Sequence, residues 1–201
     1  MSELTVLQAV RLKGRIGEED LIATLGEDPA DVAATLTQLT AAGLLVHNKT
    51  LRVSPEGRER LNALLAEERS GIDQNILAKS YDDFRAVNDT FKTLVSDWQI
   101  RDGQPNPHDD ADYDTGVLNR LDGVHEQVMP IVAVVTTLAP RLGTYGDKLT
   151  AALAKVKAGD TIWLARPIID SYHTVWFELH EELIAASGLT REEEARAGHA
   201  S

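Results

Sequence analysis

Apolar residues recur at spacings of three and four through most of the second half of this chain. Tyr81, Phe84, Phe91, Val95 and Trp98 step in this way, with Asn88 in the same series. So do Val117, Leu121, Val124, Val128, Ile131, Val135 and Leu138, and so do Ile169, Tyr172, Trp176, Leu179 and Leu183. Residues at that period share one face of an α-helix. Leu149, Leu153 and Val156 give a shorter stripe within Leu142 to Val156. Four such stripes predict helices packed at about 20° in an antiparallel four-helix bundle, here over residues 72–188. Pro130 falls inside the second stripe and should kink that helix. Residues 101–116, rich in Asp, Pro and Gly, read as the one long loop. Asp112 or Asp114 is the expected N-cap of the helix that follows. Residues 189–201 read as a polar tail, frayed from Arg191.

The first 69 residues follow a different rule: short segments punctuated by glycine. Leu4 to Arg11 and Leu12 read as a helix with Ser2 as N-cap, ended by Gly14. Glu18 to Leu25 reads as a second, stopped by Gly26. Asp28-Pro29 opens a third, with Asp at N-cap and Pro at N1, and Val32, Leu36 and Leu39 share its inner face. Leu44 to Val46 and Leu51 to Val53 read as strands around Asn48-Lys49. Ser54-Pro55 caps a last helix through Leu61 and Leu65. The fold class expected is mainly α: a winged-helix domain at 1–69 followed by the bundle.

Two pieces carry a resemblance for this first part. They are Leu39-Thr40-Ala41-Ala42-Gly43-Leu44-Leu45 and Leu51-Arg52-Val53-Ser54-Pro55-Glu56-Gly57-Arg58. They resemble the wing-flanking segments of the MarR and PadR-type winged-helix regulators. The resemblance implies a fold more than a function.

Charge weighs against the DNA-binding role such a fold suggests. The chain has 201 residues, 20 Lys+Arg and 32 Asp+Glu, a formal charge of -12. A broad basic surface is excluded, so nucleic-acid binding would need strong local segregation of charge. A groove-reading helix needs Arg or Lys for phosphates and Arg, Asn or Gln for base edges. The third helix has no Lys or Arg, and Gln38 is its only side-chain amide. Arg11, Lys13, Arg15, Lys49 and Arg52 are the residues that could still touch a DNA backbone. The competing use of the domain is protein contact.

With no cysteine in the chain, disulfides, thiolate-bound metals and thiol catalysis are excluded. No apolar run approaches the ~18 residues of a membrane span. The Met1-Ser2-Glu3-Leu4 start does not read as a signal peptide, so a cytoplasmic protein without membrane contact is expected. There is no phosphate-cradling glycine loop, no Gly-x-Ser-x-Gly elbow and no dinucleotide fingerprint. An autonomous enzyme is not expected, and no cofactor is implied. Asp110 to Leu121 departs from a calcium loop in both its glycine position and its last ligand.

The densest chemistry lies in Asp170 to Leu183. His173 and His180, seven apart, sit on one helix face but too far apart to chelate one metal together. Three helices could bring Asn88, Asp97, Trp98, Arg101, His125, His173, Trp176, Glu178 and His180 towards a shared interior, as a ligand pocket. The alternative is that the histidines are hydrogen-bonded core-edge residues. The tryptophans are then core or interface residues, and Arg101 complements a helix dipole. No metal site is expected.

Three pieces of the second half carry a further resemblance: Phe91 to Arg101, Asp112 to Leu121, and Asp170 to Glu181. They resemble a helical segment accompanying bacterial phosphoenolpyruvate-utilising proteins of the pyruvate, phosphate dikinase-like group. The resemblance implies a regulatory or accessory module beside a phosphotransfer enzyme, and it carries over no catalytic residue. The leading expectation is thus a non-catalytic regulatory or accessory protein acting through protein contact. The alternative is a ligand-sensing winged-helix transcriptional regulator, as a homodimer, with a small-molecule ligand in the bundle.

Overall fold

The structure, a computed structural model, describes residues 1–196. It is mainly helical, and its described strands form two small antiparallel sheets. The chain divides into two compact units that adjoin in sequence at Gly71 and Ile72. No helix among the described residues is long and apolar enough to cross a membrane.

The smaller unit runs α1 (Glu3–Lys13), α2 (Glu18–Leu25), α3 (Pro29–Ala41), β1 (Leu45–His47), β2 (Leu51–Val53) and α4 (Pro55–Ser70). Local chemistry sets each boundary. The Ser2 hydroxyl accepts from the Thr5 N–H at 3.1 Å, and the Asp28 carboxylate accepts from the Ala30 N–H at 2.9 Å. Both satisfy amide donors that a helix start leaves orphaned. Ser54 works in two directions: it accepts from the Gly57 N–H at 2.9 Å and donates to the Gly43 carbonyl at 2.7 Å. The start of α4 is thereby pinned to the end of α3. A Cβ on Gly57 would lie 2.0 Å from the Leu44 carbonyl oxygen, so only glycine permits this approach. β1 and β2 pair with Leu45 opposite Val53 and His47 opposite Leu51, and Ile16 bridges to Leu51 as a third short edge. Val32, Leu36 and Leu39 of α3 are buried, as their spacing requires.

The larger unit starts with α5 (Gln74–Gln99), then β3 (Ile100–Arg101) and β4 (Gln104–Pro105), then α6 (Ala111–Leu138). A 3-10 turn at Pro140–Leu142 leads into α7 (Gly143–Lys157), α8 (Ile162–Ala165), α9 (Tyr172–Ala186) and α10 (Arg191–Arg196). α9 packs against α5, α7, α8 and α10, so it is covered on nearly every side. Glu178, His180, Glu181 and Glu182 are buried along with Tyr172, Trp176 and Leu179.

Several expectations need correction here. The loop over 101–116 is shorter: β3 and β4 form a hairpin, and α6 begins at Ala111. Its N-cap is Asp110, not Asp112 or Asp114. Asp110 accepts from the Tyr113 N–H at 3.0 Å and is held by Arg101 at 2.9 Å. Asp114 is turned to the loop instead, bonded to Asn106 Nδ2 and His108 Nδ1, each at 3.0 Å. α6 runs on through Pro130, which lies inside it as expected. Val132, not Ile131, continues its buried stripe, because strict seven-residue steps drift on a 3.6-residue helix. Ile169 lies before α9, which starts at Tyr172 behind the Ser171 cap. The polar tail is folded where it is described. α10 occupies Arg191–Arg196, and Glu194 is 3% exposed. Residues 197–201 of that tail lie outside the described residues.

Candidate functional site

In α5, Phe84, Asn88 and Phe91 share one face, as the three-and-four spacing requires. On α9, His173, Trp176 and His180 do the same. The ring contacts fix how these faces meet. Phe84 lies 5.0 Å from Trp176 and 5.2 Å from His180, while Phe91 lies 4.4 Å from Trp176 and 5.9 Å from His173. As numbers rise on α5 they fall on α9, so the two helices are antiparallel. The Trp176 indole N–H donates to Asn88 Oδ1 at 2.9 Å inside this array. A buried indole N–H needs such a partner, and the bond fixes both side chains.

His180 sits at the end of a longer chain of bonds. Arg85 grips the Glu194 carboxylate with both arms, Nη2 to Oε1 at 2.6 Å and Nε to Oε2 at 3.1 Å. The Tyr81 hydroxyl donates to Glu194 Oε2 at 2.6 Å. Its one proton is thereby used, so at 3.1 Å from His180 Nε2 the Tyr81 oxygen must accept. His180 therefore carries its proton on Nε2 and a lone pair on Nδ1. Burial, helped by the Arg191 charge, pushes the His180 pKa down to about 4, so the ring is neutral at pH 7. The same burial raises the Tyr81 pKa, with the Glu194 carboxylate adding to it.

Beside this array a cleft of about 400 Å³ opens between α5 and α9. Asn88, Phe91, Val95 and Trp176 are among the residues that line it. Lys92, Ser96 and Gln99 line the α5 side, and His173, Phe177 and His180 line the α9 side, with Arg191 alongside. Arg191 stacks 4.6 Å over the Phe177 ring and pairs with Glu181 at 2.5 Å. The His173 pKa is lowered by desolvation. Among the described residues no acidic side chain lines the cleft, although acids outnumber bases in the chain 32 to 20.

The chain matches no family model, no curated protein and no solved structure.

Of the nine candidates for a shared interior, the cleft gathers Asn88, His173, Trp176 and His180. The other five stand apart. Asp97 pairs with Arg120 at 2.7 Å. Trp98 stacks 4.3 Å from His108 and lines a second cleft with Thr161 and Arg166. Arg101 pairs with Asp110 and lies 4.6 Å over the Tyr113 ring, so its role is to hold the cap of α6. His125 Nδ1 lies 3.2 Å from the Tyr172 hydroxyl, and burial lowers its pKa. Glu178 is 4% exposed, and with Glu182 its charge helps raise the Tyr145 pKa, after the larger effect of burial. Among the described residues no three His, Asp or Glu side chains are grouped to hold a metal. Sequence reasoning missed Lys92, Ser96 and Gln99, which lie four to eleven residues past Asn88 on the same helix edge. Arg191 reaches the cleft only through folding of the segment read as a frayed tail.

In the smaller unit Arg11, Arg15, Gln38, Lys49 and Arg52 are exposed and Lys13 is half-buried. The Ile16–Leu51 bridge brings the backbones next to Arg15 and Arg52 onto one small sheet. The exposed positions of α3, among them Asp31, Ala34, Thr37, Gln38 and Ala41, include no cation. The Thr35 and Thr37 hydroxyls donate back to the Asp31 and Ala33 carbonyls at 2.9 Å each, which leaves Gln38 as that face's amide.

Proposed function

We propose that residues 1–69 form a winged helix used for protein contact, and that residues 72–188 form an antiparallel four-helix bundle. The chain then acts as a non-catalytic regulatory or accessory protein. Its proposed partner is a phosphoenolpyruvate-utilising phosphotransferase, as the resemblance of the second half implies. One observation carries the protein-contact reading: the exposed face of α3 holds small neutral side chains and Asp31, with no Lys or Arg. DNA binding draws most of its free energy from neutralised phosphates, whereas a face of Ala, Thr and Gln suits a protein surface. The order α1-α2-α3-β1-β2-α4 and the Ile16–Leu51 bridge support the winged-helix description.

The test is reconstitution of phosphotransfer by a phosphoenolpyruvate-utilising phosphotransferase of the same organism, with and without this chain. Co-elution and an altered phosphotransfer rate are expected, both lost in an Ala34→Arg, Gln38→Glu double variant. No complex and no rate change would overturn the proposal.

A second reading, a ligand-sensing DNA-binding regulator acting as a homodimer, draws support from the exposed Arg15 and Arg52 on the small sheet. It predicts a gel shift that weakens steeply with salt and is lost in Arg15→Gln, Arg52→Gln protein.

A further inference from the structure

The cleft between α5 and α9 has features that packing alone does not require. His180 is 5% exposed, yet only its Nε2 has a hydrogen-bond partner among the described residues. The Tyr81–Glu194–Arg85 chain fixes the proton on Nε2, which leaves Nδ1 as a neutral acceptor in the wall of the cleft. Nδ1 is not among the enclosed polar atoms that lack a partner among the described residues, so it is open to solvent and can accept from a donor on a ligand.

Lys92 lines the same cleft half-buried, and among the described residues it forms no ion pair. Asp89, one turn before it on α5, does not engage it. The Arg191 charge stands nearby, and the nearest acid in that group, Glu181, is bound to it and does not line the cleft. A protein of formal charge -12 thus keeps one concave surface free of carboxylates and furnished with cations. Such a surface concentrates anions. Phe177, 40% exposed, supplies apolar contact between these polar ends, and the edges of the largely covered Phe91 and Trp176 rings add to it.

Dimensions narrow the ligand further. His173 and His180 are seven residues apart, so the cleft spans about 10 Å along α9 at 1.5 Å per residue. Side chains tilt towards the N-terminus of their own helix. On antiparallel helices Lys92 and His180 therefore lean towards each other across Trp176. A ligand meeting both lies across Trp176, with a donor at one end and a negative charge at the other.

We propose that this cleft binds an aryl or indolyl carboxylate, with its ring against Phe177 and the edges of Phe91 and Trp176, its carboxylate at Lys92 and its N–H donating to His180 Nδ1. This site does not depend on what residues 1–69 contact, so it stands or falls separately from the function proposed above.

The probe is indole-3-propionate, titrated calorimetrically into the full chain at pH 7. Two analogues dissect it: the neutral propionamide, and the 1-methylindole acid, which lacks the N–H. The acid is expected to bind at least about tenfold more tightly than either analogue, as for loss of one charge-assisted or one buried hydrogen bond. Lys92→Gln should remove the preference for acid over amide while leaving the preference for N–H intact. Lys157→Gln, which breaks a surface pair with Asp122 at 2.7 Å, should leave all three affinities unchanged. Lys92 forms no ion pair, so its variant should fold, and its far-ultraviolet circular dichroism and thermal midpoint check that. No binding at millimolar acid, equal binding of acid and amide, or an unaltered acid preference in Lys92→Gln would each overturn the proposal.

Discussion

The two units of this chain bury different kinds of atoms. In residues 1–71 the buried polar side chains are uncharged: Gln8, Thr24 and Ser54. In residues 72–196 the interior takes in Glu178, Glu181, Glu182 and Glu194, with His180 and Asn88 among them. The smaller unit is held by apolar contact and short-range caps. The larger one wraps α9 so that Glu178, His180, Glu181 and Glu182 are buried. Each buried acid then needs a cation or a donor, and the fold supplies them. Arg141 meets Glu182 at 2.7 Å, Arg85 meets Glu194 at 2.6 Å, and the Tyr145 hydroxyl donates to Glu182 at 3.1 Å. Such pairs add little net stability over an apolar core, but removing one partner strands a charge. A charged interior is therefore more sensitive to single substitutions than an apolar one of equal size.

The largest effect should come from stranding Glu182, which is 1% exposed. Arg141→Met keeps the stem and deletes the charge. The expected loss is about 3–5 kcal/mol in urea unfolding. Trp98, Trp163 and Trp176 all lie in the larger unit, so tryptophan fluorescence follows that unit alone. The matching change in the smaller unit, Arg60→Met, breaks a fork to Glu3 at the surface. Hydrogen exchange in residues 1–71 should not register it, because exposed pairs contribute little. Equal losses from the two variants would erase the contrast between the interiors.

Acid should also divide the units, by a smaller margin. The folded His180 pKa lies at about 4, below the ordinary histidine value of 6.5, through burial and the Arg191 charge, against the opposing pull of Glu181 and Glu194. A lowered histidine pKa means the unfolded chain takes up the proton first. Stability is complete above about 6.5 and is lost as pH falls towards 4, at up to about 1.4 kcal/mol per pH unit. His180→Gln keeps a donor for Tyr81 without the titration. Its fluorescence-detected stability should therefore be flatter than wild type between pH 6.5 and 5. The smaller unit has one histidine, the exposed His47, so its exchange rates, corrected for pH, should not share the slope. A wild-type slope retained in His180→Gln would move the effect to another group.

These contrasts also explain what could be read from the sequence. Ser2, Asp28-Pro29 and Ser54-Pro55 act within three residues of themselves, so their caps are visible in any short window. Gly14 and Gly26 stop helices for the same local reason. The Asn88–Trp176 bond spans 88 residues and the Tyr81–Glu194 bond 113, and no periodicity reports a partner that far away. Hence Asn88, His173, Trp176 and His180 could be named as candidates but not separated from Asp97, Trp98, Arg101, His125 and Glu178. The segment after Thr190 reads as a solvated tail because the burial of Glu194 depends on Tyr81 and Arg85, more than a hundred residues away. Asp110 does not stand out as a cap in the sequence, because Arg101, on the other side of the hairpin, helps select it over Asp112 and Asp114. Local signals gave the boundaries of the smaller unit; the polar interior of the larger one is a tertiary property.

The smallest effect tests the local half of that contrast. Asp28 accepts from the Ala30 N–H at 2.9 Å and the Asp31 N–H at 3.3 Å, both orphan donors at the start of α3. Asp28→Ala should cost about 1 kcal/mol. Its carboxylate also sits at the positive end of the α3 dipole, so part of the loss should be screened by salt. Because the cap acts only on its own first turn, faster exchange should begin at Ala30 to Val32 and stay within residues 1–71. Pro29 still fixes the first helical residue in the variant, so α3 should form with a looser start rather than vanish. A loss of several kcal/mol would mean that Asp28 has a long-range role and that the smaller unit is less locally determined than its caps imply.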